Sequence, residues 1–395
     1  MITKFGSLWA GNVDMDNPGY QGTPANDRWL PDEELAGGAI EKAEQIAVAM
    51  DRLGYDTFWI AEHHFQREGY ECIPNLMMLY VHLAHLTEKL RFGCGFNINP
   101  MWNPLRLAED YATSDWLTDG RVRFGVGRGY HTREVEVFGS PIMDQNANRE
   151  LFEEQVEVMW KAFNQRSFSH HGKHYDIPPN VPYRGYDLEE ITLVPRPKYD
   201  VEWWQPVVSA SDRAINFMAR WGIKGIIGGG AATGGASDEV IHRWQAIHAE
   251  HGKEWQLGEG LAVGYSVQIA NSEKEAMDQA RLWMEERVKM FGPLGFIAGL
   301  SEEQLGALNA FGRPVPQGLK MPTIEESVAA GQYLVGPPDR ITEQLMEIQE
   351  RYPGLEEVNI GITNMGMPTS ASMEQLEWFA SDVMPHFNTK QGADN

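Results

Sequence analysis

Cysteine is nearly missing from this chain. Only two cysteines, Cys72 and Cys94, occur in 395 residues. They fall on different predicted elements, which excludes a disulfide framework and a cysteine-based structural zinc site. The simplest compartment for such a chain is a reducing cytoplasm. No apolar run approaches the ~18 residues of a membrane span. The opening MITKFGSLWAGN lacks the apolar core of a secretory signal. Positive charge is also scarce: 33 Lys and Arg face 56 Asp and Glu, a net charge of −23. So acidic a surface repels phosphate backbones and anionic lipid, and neither nucleic-acid nor membrane binding is expected. A small anion would need a local pocket of backbone N–H groups and one or two arginines. Short-period repeats, low-complexity runs, a GxGxxG after the first strand, a GxSxG elbow and a Walker motif are all missing.

What is present is ordinary for a large buried core: 42% hydrophobic residues, with 13 Trp, 13 Tyr and 16 Phe. Short β-branched or aromatic runs alternate with amphipathic helices. Eight strands are predicted: Thr3–Trp9, Tyr55–Ala61, Leu90–Ile98, Arg121–Val126, Gln205–Ser209, Lys224–Ile227, Gly260–Ile269 and Glu357–Ile362. The fold class is therefore α/β, a (β/α)₈ TIM barrel, with its site at the C-terminal strand ends. An open doubly wound sheet is the rival. The unbroken alternation and the missing glycine fingerprint favour the barrel. One domain over 1–395 is expected, with insertions near 10–31, 165–204 and 291–335. Residues 165–204 read as irregular, with short hairpins. Residues 291–335 read as loop, placed over the active face.

Four clusters could carry chemistry. Glu62-His63-His64-Phe65 follows strand 2. Side chains alternate in an extended chain, so one histidine can face the barrel mouth while the other packs outward. A histidine suits proton transfer near neutrality, and a satisfied core histidine is the competing reading. Spacing gives at best two metal ligands here, so no metal is expected. Gly127-Arg128-Gly129-Tyr130 ends strand 4, where Arg128 could pair with a phosphate. A tight turn with a surface arginine reads equally well. Ser209-Ala210-Ser211 opens a helix and offers free N–H groups to an anion, or else simply caps it. Gly228 and Gly229 offer a similar backbone surface, or a flexible loop. Gly93-Cys94-Gly95-Phe96-Asn97 puts glycines inside strand 3, which suggests a bulge or a close ligand approach. Cys94 reads as a small buried hydrophobe rather than a nucleophile.

Taken in order, these clusters resemble the bacterial-luciferase-like, flavin-dependent monooxygenases, of alpha-chain type. The matching stretches include GYDTFWIAEHHF (54–65), NPLRLAEDYATSDWLTDGRVRFGVGRGY (103–130), LVPRP (193–197) and PVVSAS (206–211). The resemblance implies a TIM barrel. It also implies a two-component monooxygenase that uses reduced FMN, supplied by a separate reductase, and O₂. A small organic substrate would be oxygenated through a peroxyflavin. It implies His63 as the acid/base beside the flavin, with Glu134 as the acidic residue of the following helix. Arg128, Ser209, Ala210 and Ser211 would hold the phosphate. Cys94, Gly95, Phe96, Asn97, Tyr130, Gly228 and Gly229 would complete the cofactor site, with a cis peptide at Gly95-Phe96. A homodimer or homotetramer pairing through outer helices is implied as well. Val208 stands where luciferase has an acidic residue, so neither light emission nor a fatty aldehyde is expected. Two alternatives remain open. One is a deazaflavin-dependent oxidoreductase on the same barrel, against which the EHHF form speaks. The other is a non-catalytic flavin-binding subunit, against which His63 and Arg128 together speak.

Overall fold

The apolar runs become strands because both of their faces are covered, one by the barrel interior and one by helices. Thr57–Ile60 and Val122–Gly127 show this best, since every residue in them is buried. The computed structural model describes residues 1–20, 22–23, 25–207, 211–227, 236–291 and 323–387. Its first half runs β1 (Lys4–Trp9), α1 (Gly38–Leu53), β2 (Thr57–Ile60), α2 (Leu76–Leu86), β3 (Arg91–Cys94) and β4 (Asn97–Ile98). Next come α3 (Pro104–Leu117), β5 (Val122–Gly127), α4 (Thr132–Val135) and α5 (Gln145–Asn164). Two small hairpins follow, β6 (His170–His171) with β7 (Asp176–Ile177), and β8 (Pro182–Tyr183) with β9 (Tyr186–Asp187). The second half runs β10 (Trp203–Pro206), α6 (Asp212–Trp221), β11 (Lys224–Ile227), α7 (Ala236–Glu250), β12 (Leu261–Ile269) and α8 (Glu273–Phe291). It ends with α9 (Ile324–Ala329), β13 (Tyr333–Gly336), α10 (Pro338–Arg351), β14 (Glu357–Gly361) and α11 (Thr369–Asp382).

Local chemistry sets the helix ends. Asn75, Asn103 and Asp144 each accept backbone N–H groups at the starts of α2, α3 and α5. Gly54 stops α1 in the left-handed conformation, with φ of 82°. The strands then pair in parallel around a ring: β1 with β2, β2 with β3, β3 with β5, β5 with β10, β10 with β11, β11 with β12, β12 with β14 and β14 with β1. That closed ring is the eight-stranded TIM barrel expected from the alternation. Its interior is filled at one level by Trp59, Trp204, Ile226 and Ala262, with Phe96 packed against them. Arg123 is buried beside this layer, its guanidinium over the rings of Trp59 and Trp204. Glu357 and Glu202 accept from it at 2.7 and 2.9 Å, which answers the charge that burial would otherwise leave alone.

Three expectations need correction. The third predicted strand is broken into β3 and β4 at Gly95-Phe96, whose peptide is cis. The fifth begins two residues earlier than expected, because Trp203 and Trp204 pair with Phe124 and Gly125 to close the ring. Residues 323–336 are not loop. Thr323 and Glu326 form a capping box that starts α9, and β13 pairs in parallel with the far end of β12. Residues 292–322 lie outside the described residues.

Candidate functional site

A cavity of about 440 Å³ opens at the C-terminal ends of the barrel strands. That size falls in the range of cofactor and small-molecule sites, about 300–1,000 Å³. One wall carries His63, Glu71 and Tyr130; another carries Arg128, Arg149 and Glu153; Gly95 and Phe96 form part of the floor.

His63 reaches the cavity because β2 ends just before it and the chain turns sharply at Phe65, whose φ is 61°. A bulky residue rarely adopts that conformation, and such outliers concentrate at functional sites. The ring of His63 is held from both sides. Its Nδ1 lies 3.2 Å from each carboxylate oxygen of Glu134. Its Nε2 lies 3.0 Å from the Tyr130 hydroxyl and 3.2 Å from Glu71 Oε1. Burial alone would lower its pKa, but the charges of Glu71 and Glu134 outweigh that and push it up to about 9. Burial likewise favours a protonated Glu134, yet the charge and hydrogen bond of His63 hold that carboxyl down to about 2. His64 takes the other direction. Its Nε2 meets Glu62 Oε1 at 3.0 Å, and its ring packs edge-on to Phe138. Glu62 in turn accepts from the backbone N–H of Ile98 and from Trp102 Nε1, pinning the end of β2 to β4 and the loop beyond.

Spacing gave the paired histidines at best two ligands, with any carboxylate having to come from elsewhere; the fold brings two carboxylates and a second histidine beside His63. His63, Glu71, His131 and Glu134 are all buried, and one polar atom of each lies within 4.8 Å of the others. These groups satisfy one another as hydrogen-bond partners, with His131 Nε2 2.9 Å from Glu71 Oε2.

Arg128 sits at the end of β5, beside Gly129, whose φ is 80°. A Cβ on Gly129 would come within 2.6 Å of the Val135 side chain, so glycine is required there. Arg128 Nη1 donates to Asn148 Oδ1 at 3.4 Å. Two further arginines converge on it from the starts of α5 and α6, Arg149 and Arg213. Glu153 serves both, at 4.0 and 2.9 Å. Burial lowers the pKa of Arg128, and the neighbouring charges of Arg149 and Arg213 lower it further, to about 10. A protein of net charge −23 thus gathers Arg128 and Arg149 at one end of this cavity, with the exposed Arg213 just beyond the lining and Glu153 as their shared carboxylate.

Of the site residues expected from sequence, His63, Gly95, Phe96, Arg128 and Tyr130 line the cavity. Cys94 and Asn97 do not. Cys94 is wholly buried in the main core, and burial pushes its thiol up to about 12. Asn97 is buried and donates to Gly125 O at 2.8 Å, holding β4 to β5. Ser211 stands at the N-cap of α6 without a side-chain capping bond, outside the cavity lining. Ser209, Ala210, Gly228 and Gly229 lie outside the described residues. Glu71, Arg149 and Arg287 were not singled out from sequence, and Arg213 stood only at the end of the Ser209–Arg213 cluster without a role. Arg149 and Glu153 at helical i,i+4 spacing were the one available signal, and it reads equally as a surface pair.

A profile described as luciferase-like monooxygenase matches residues 20–353. The chain belongs to the luciferase-like monooxygenase family. Limonene 1,2-monooxygenase of Rhodococcus erythropolis is 22% identical over 372 residues, covering 92% of this chain and 86% of that one. The alkanal monooxygenase alpha chain of the Kryptophanaron alfredi symbiont is 30% identical over 185 residues, 46% of this chain. The chain spans 49% of that relative, so likeness to alpha chains in particular is partial. The oxygenase component of the flavin-dependent trigonelline monooxygenase of Acinetobacter baylyi is 26% identical over 151 residues, 38% of this chain and 40% of that one. Among solved structures, monooxygenase RslO1 from Streptomyces bottropensis superposes with a TM-score of 0.74 at 18% identity, over 97% of this chain and 99% of that one. The oxygenating constituent of 3,6-diketocamphane monooxygenase from Pseudomonas putida, in complex with FMN, gives 0.68 at 19%, over 98% and 99%. An F420-dependent secondary alcohol dehydrogenase in complex with an F420-acetone adduct gives 0.61 at 14%, over 98% and 99%. These structural likenesses share the barrel fold.

Proposed function

We propose that this luciferase-like chain is an oxidoreductase, the oxygenase of a two-component monooxygenase that takes reduced FMN and O₂ and oxygenates a small organic substrate. The observation that carries the reading is the pairing, in one cavity, of His63 at one wall with Arg128 and Arg149 at another, Arg213 lying just beyond the lining, where it pairs with Glu153. Three guanidiniums around a single carboxylate suit a dianion. A terminal phosphate monoester carries about −1.5 to −2 charges near neutral pH, whereas a diester carries about half that. The site therefore fits FMN better than a deazaflavin bearing a phosphodiester. Arg128 would pair with the phosphate in two-pronged fashion, with Arg149 and Arg213 adding charge. Ser209, Ala210, Ser211, Gly228 and Gly229 remain proposed neighbours of the same group. Gly95 and Phe96 would floor the ring pocket, with Cys94 and Asn97 supporting that floor from behind. When bound, the reduced flavin supplies the two electrons that split O₂.

The protein's own part is to exclude water and manage a proton. His63, held between Glu134 and Glu71, presents a charged ring whose Nε2 can give a proton at the cavity wall. The relative described as an oxygenase component supports a separate reductase as partner. A homodimer or homotetramer is proposed through α2 and α3, which leave Met78, Leu86, Trp116 and Leu117 exposed.

Anaerobic titration with reduced FMN, and separately with a reduced deazaflavin, tests this reading. Tight binding of FMN, then rapid flavin oxidation on mixing with O₂, is expected. Binding of the deazaflavin alone, with hydride transfer and no oxygen consumption, would replace it.

A further inference from the structure

Glu71 is the most connected group in the cavity wall. Its Oε1 accepts from the Tyr130 hydroxyl at 2.7 Å and lies 3.2 Å from His63 Nε2. Its Oε2 meets His131 Nε2 at 2.9 Å and Gln66 Nε2 at 3.3 Å. The carboxylate is 1% exposed, so these partners take the place of water. Tyr130 Oη, Glu71 Oε1 and His63 Nε2 form a closed triangle, because the hydroxyl is also 3.0 Å from His63 Nε2. The hydroxyl has one proton, and the short contact gives it to Glu71. Its lone pair is then left to accept from His63, whose Nδ1 faces Glu134. Both ring nitrogens therefore donate.

We propose that Glu71 is a positioning residue for proton transfer: it fixes the His63 ring and the Tyr130 hydroxyl as one hydrogen-bonded unit, and that unit supplies the proton which oxygenation consumes. The proposal rests on the role given to His63 above. The balance is simple. Anionic reduced flavin, O₂, substrate and one proton give oxidised flavin, oxygenated product and water. Two electrons come from the flavin; one oxygen atom goes to the product and the other to water. The proton leaves His63 Nε2. Solvent restores the proton to that nitrogen when product leaves, while Glu71 and the Tyr130 hydroxyl keep the ring in place.

The charged surroundings of His63 are defined on every side. Glu62 and His64 flank it on its own segment, Glu71 and Gln66 face it from the next loop, and Tyr130, His131 and Glu134 face it from the β5–α4 segment. Arg287 of α8 lies near the Tyr130 hydroxyl, and the Arg133–Glu68 pair lies behind Gln66.

The test uses the flavin-free protein first. The imidazole signals of His63, identified by their loss in His63→Gln, are followed by NMR across pH in wild type, Glu71→Gln, Glu71→Asp and Tyr130→Phe. Removing the Glu71 charge should lower the His63 midpoint by about one to three pH units. Glu71→Asp should restore part of that shift, and Tyr130→Phe should shift it less. With reduced FMN bound, the basic limb of the turnover profile should move with the midpoint, and peroxide released per flavin oxidised should rise. A His63 midpoint unchanged in all the variants overturns the proposal. So does a stoichiometric divalent metal in the purified protein that is lost in Glu71→Gln, which would make the cluster a metal centre. If Glu71→Gln does not fold, Glu71→Asp and Tyr130→Phe decide the matter. Wild-type turnover in His63→Ala would instead sink the functional reading itself. An inactive His63→Ala beside a wild-type profile in Glu71→Gln would sink only this proposal.

Discussion

Glu134 grips one nitrogen of His63 with both of its carboxylate oxygens, each 3.2 Å from Nδ1. One of those oxygens also accepts the backbone N–H of His64 at 3.0 Å. The helical turn after β5 therefore orients the segment after β2, and the two histidines of EHHF are forced into different roles.

Turnover should follow that division. His63→Ala removes the only histidine ring on the cavity lining among the described residues and should lower turnover by ~10²–10⁴-fold. Flavin affinity should change little, because the arginine cluster supplies the charge that anchors a phosphate. His64→Ala should cost stability instead, through lost packing on Phe65 and Phe138. Thermal melts with single-turnover oxidation separate the two. Wild-type oxygenation per folded His63→Ala molecule would end the acid/base assignment.

The pH dependence of stability carries a sign that can be checked. His63 is raised from 6.5 to about 9 on folding, so its contribution is whole below 6.5 and is lost as pH rises through 9. Glu134 is lowered from 4.5 to about 2, so its contribution is whole above 4.5 and is lost as pH falls through 2. Together the pair stabilises most between 4.5 and 6.5. Urea unfolding of wild type and of the His63→Gln/Glu134→Gln double variant should differ most in that window and converge on either side. A difference that stays constant through pH 9 would contradict the pairing.

The barrel was legible because its signal is repeated: eight buried runs, each followed by a periodic helix, leave few topologies. His63, Arg128 and Gly95-Phe96 were legible because each sits at a strand end or strand break, where the fold places ligand-facing groups. Glu71 was not. It lies in an irregular segment with no period, and its partners Tyr130 and His131 are 59 and 60 residues away. Arg213 likewise meets Glu153 across 60 residues. Such convergence depends on ring closure, which no local pattern encodes. Cys94 and Asn97 flank the cavity residues Gly95 and Phe96 in sequence but are not on the cavity lining. Proximity in sequence to a cavity residue is not exposure to the cavity, since successive strand residues face opposite sides.

The arginine cluster makes two opposite demands. Arg128→Ala should weaken reduced-FMN binding by a factor of about ten to a hundred, the worth of a charge-assisted hydrogen bond at roughly 1.5–3 kcal/mol. Without flavin, the same change removes a positive charge that Arg149 and Arg213 repel, and thermal stability should hold or rise. Arg149→Ala should weaken binding less than Arg128→Ala and flatten its salt dependence. Calorimetric titration and melting curves measure both arms. An unchanged dissociation constant in Arg128→Ala would move the phosphate elsewhere.

The last prediction concerns the far wall of the cavity. Glu286 of α8 is fully buried and accepts from four donors: Arg28, Tyr70, Lys289 at 2.8 Å and the Gly19 N–H at 2.7 Å. Gly19 and Arg28 belong to the 10–31 insertion, so one carboxylate ties that insertion to the end of α8. Arg287 and Phe291, one residue and about one turn further along, line the cavity, and Phe291 packs on Tyr130 with ring centroids 6.0 Å apart. Glu286→Ala leaves the buried Arg28 and the partly buried Lys289 without their shared counter-charge and should cost about 3–5 kcal/mol in urea unfolding. The Arg28→Met/Glu286→Leu double variant removes both buried charges and should recover a large part of that loss, because matched apolar groups replace a buried pair at little cost. The two variants should differ in catalysis too. Loosening the end of α8 in Glu286→Ala should release more peroxide per flavin oxidised, while the double variant, with the wall packed again, should not. A Glu286→Ala cost below about 1 kcal/mol, the range of exposed ion pairs, would show that this carboxylate does not hold the wall in place.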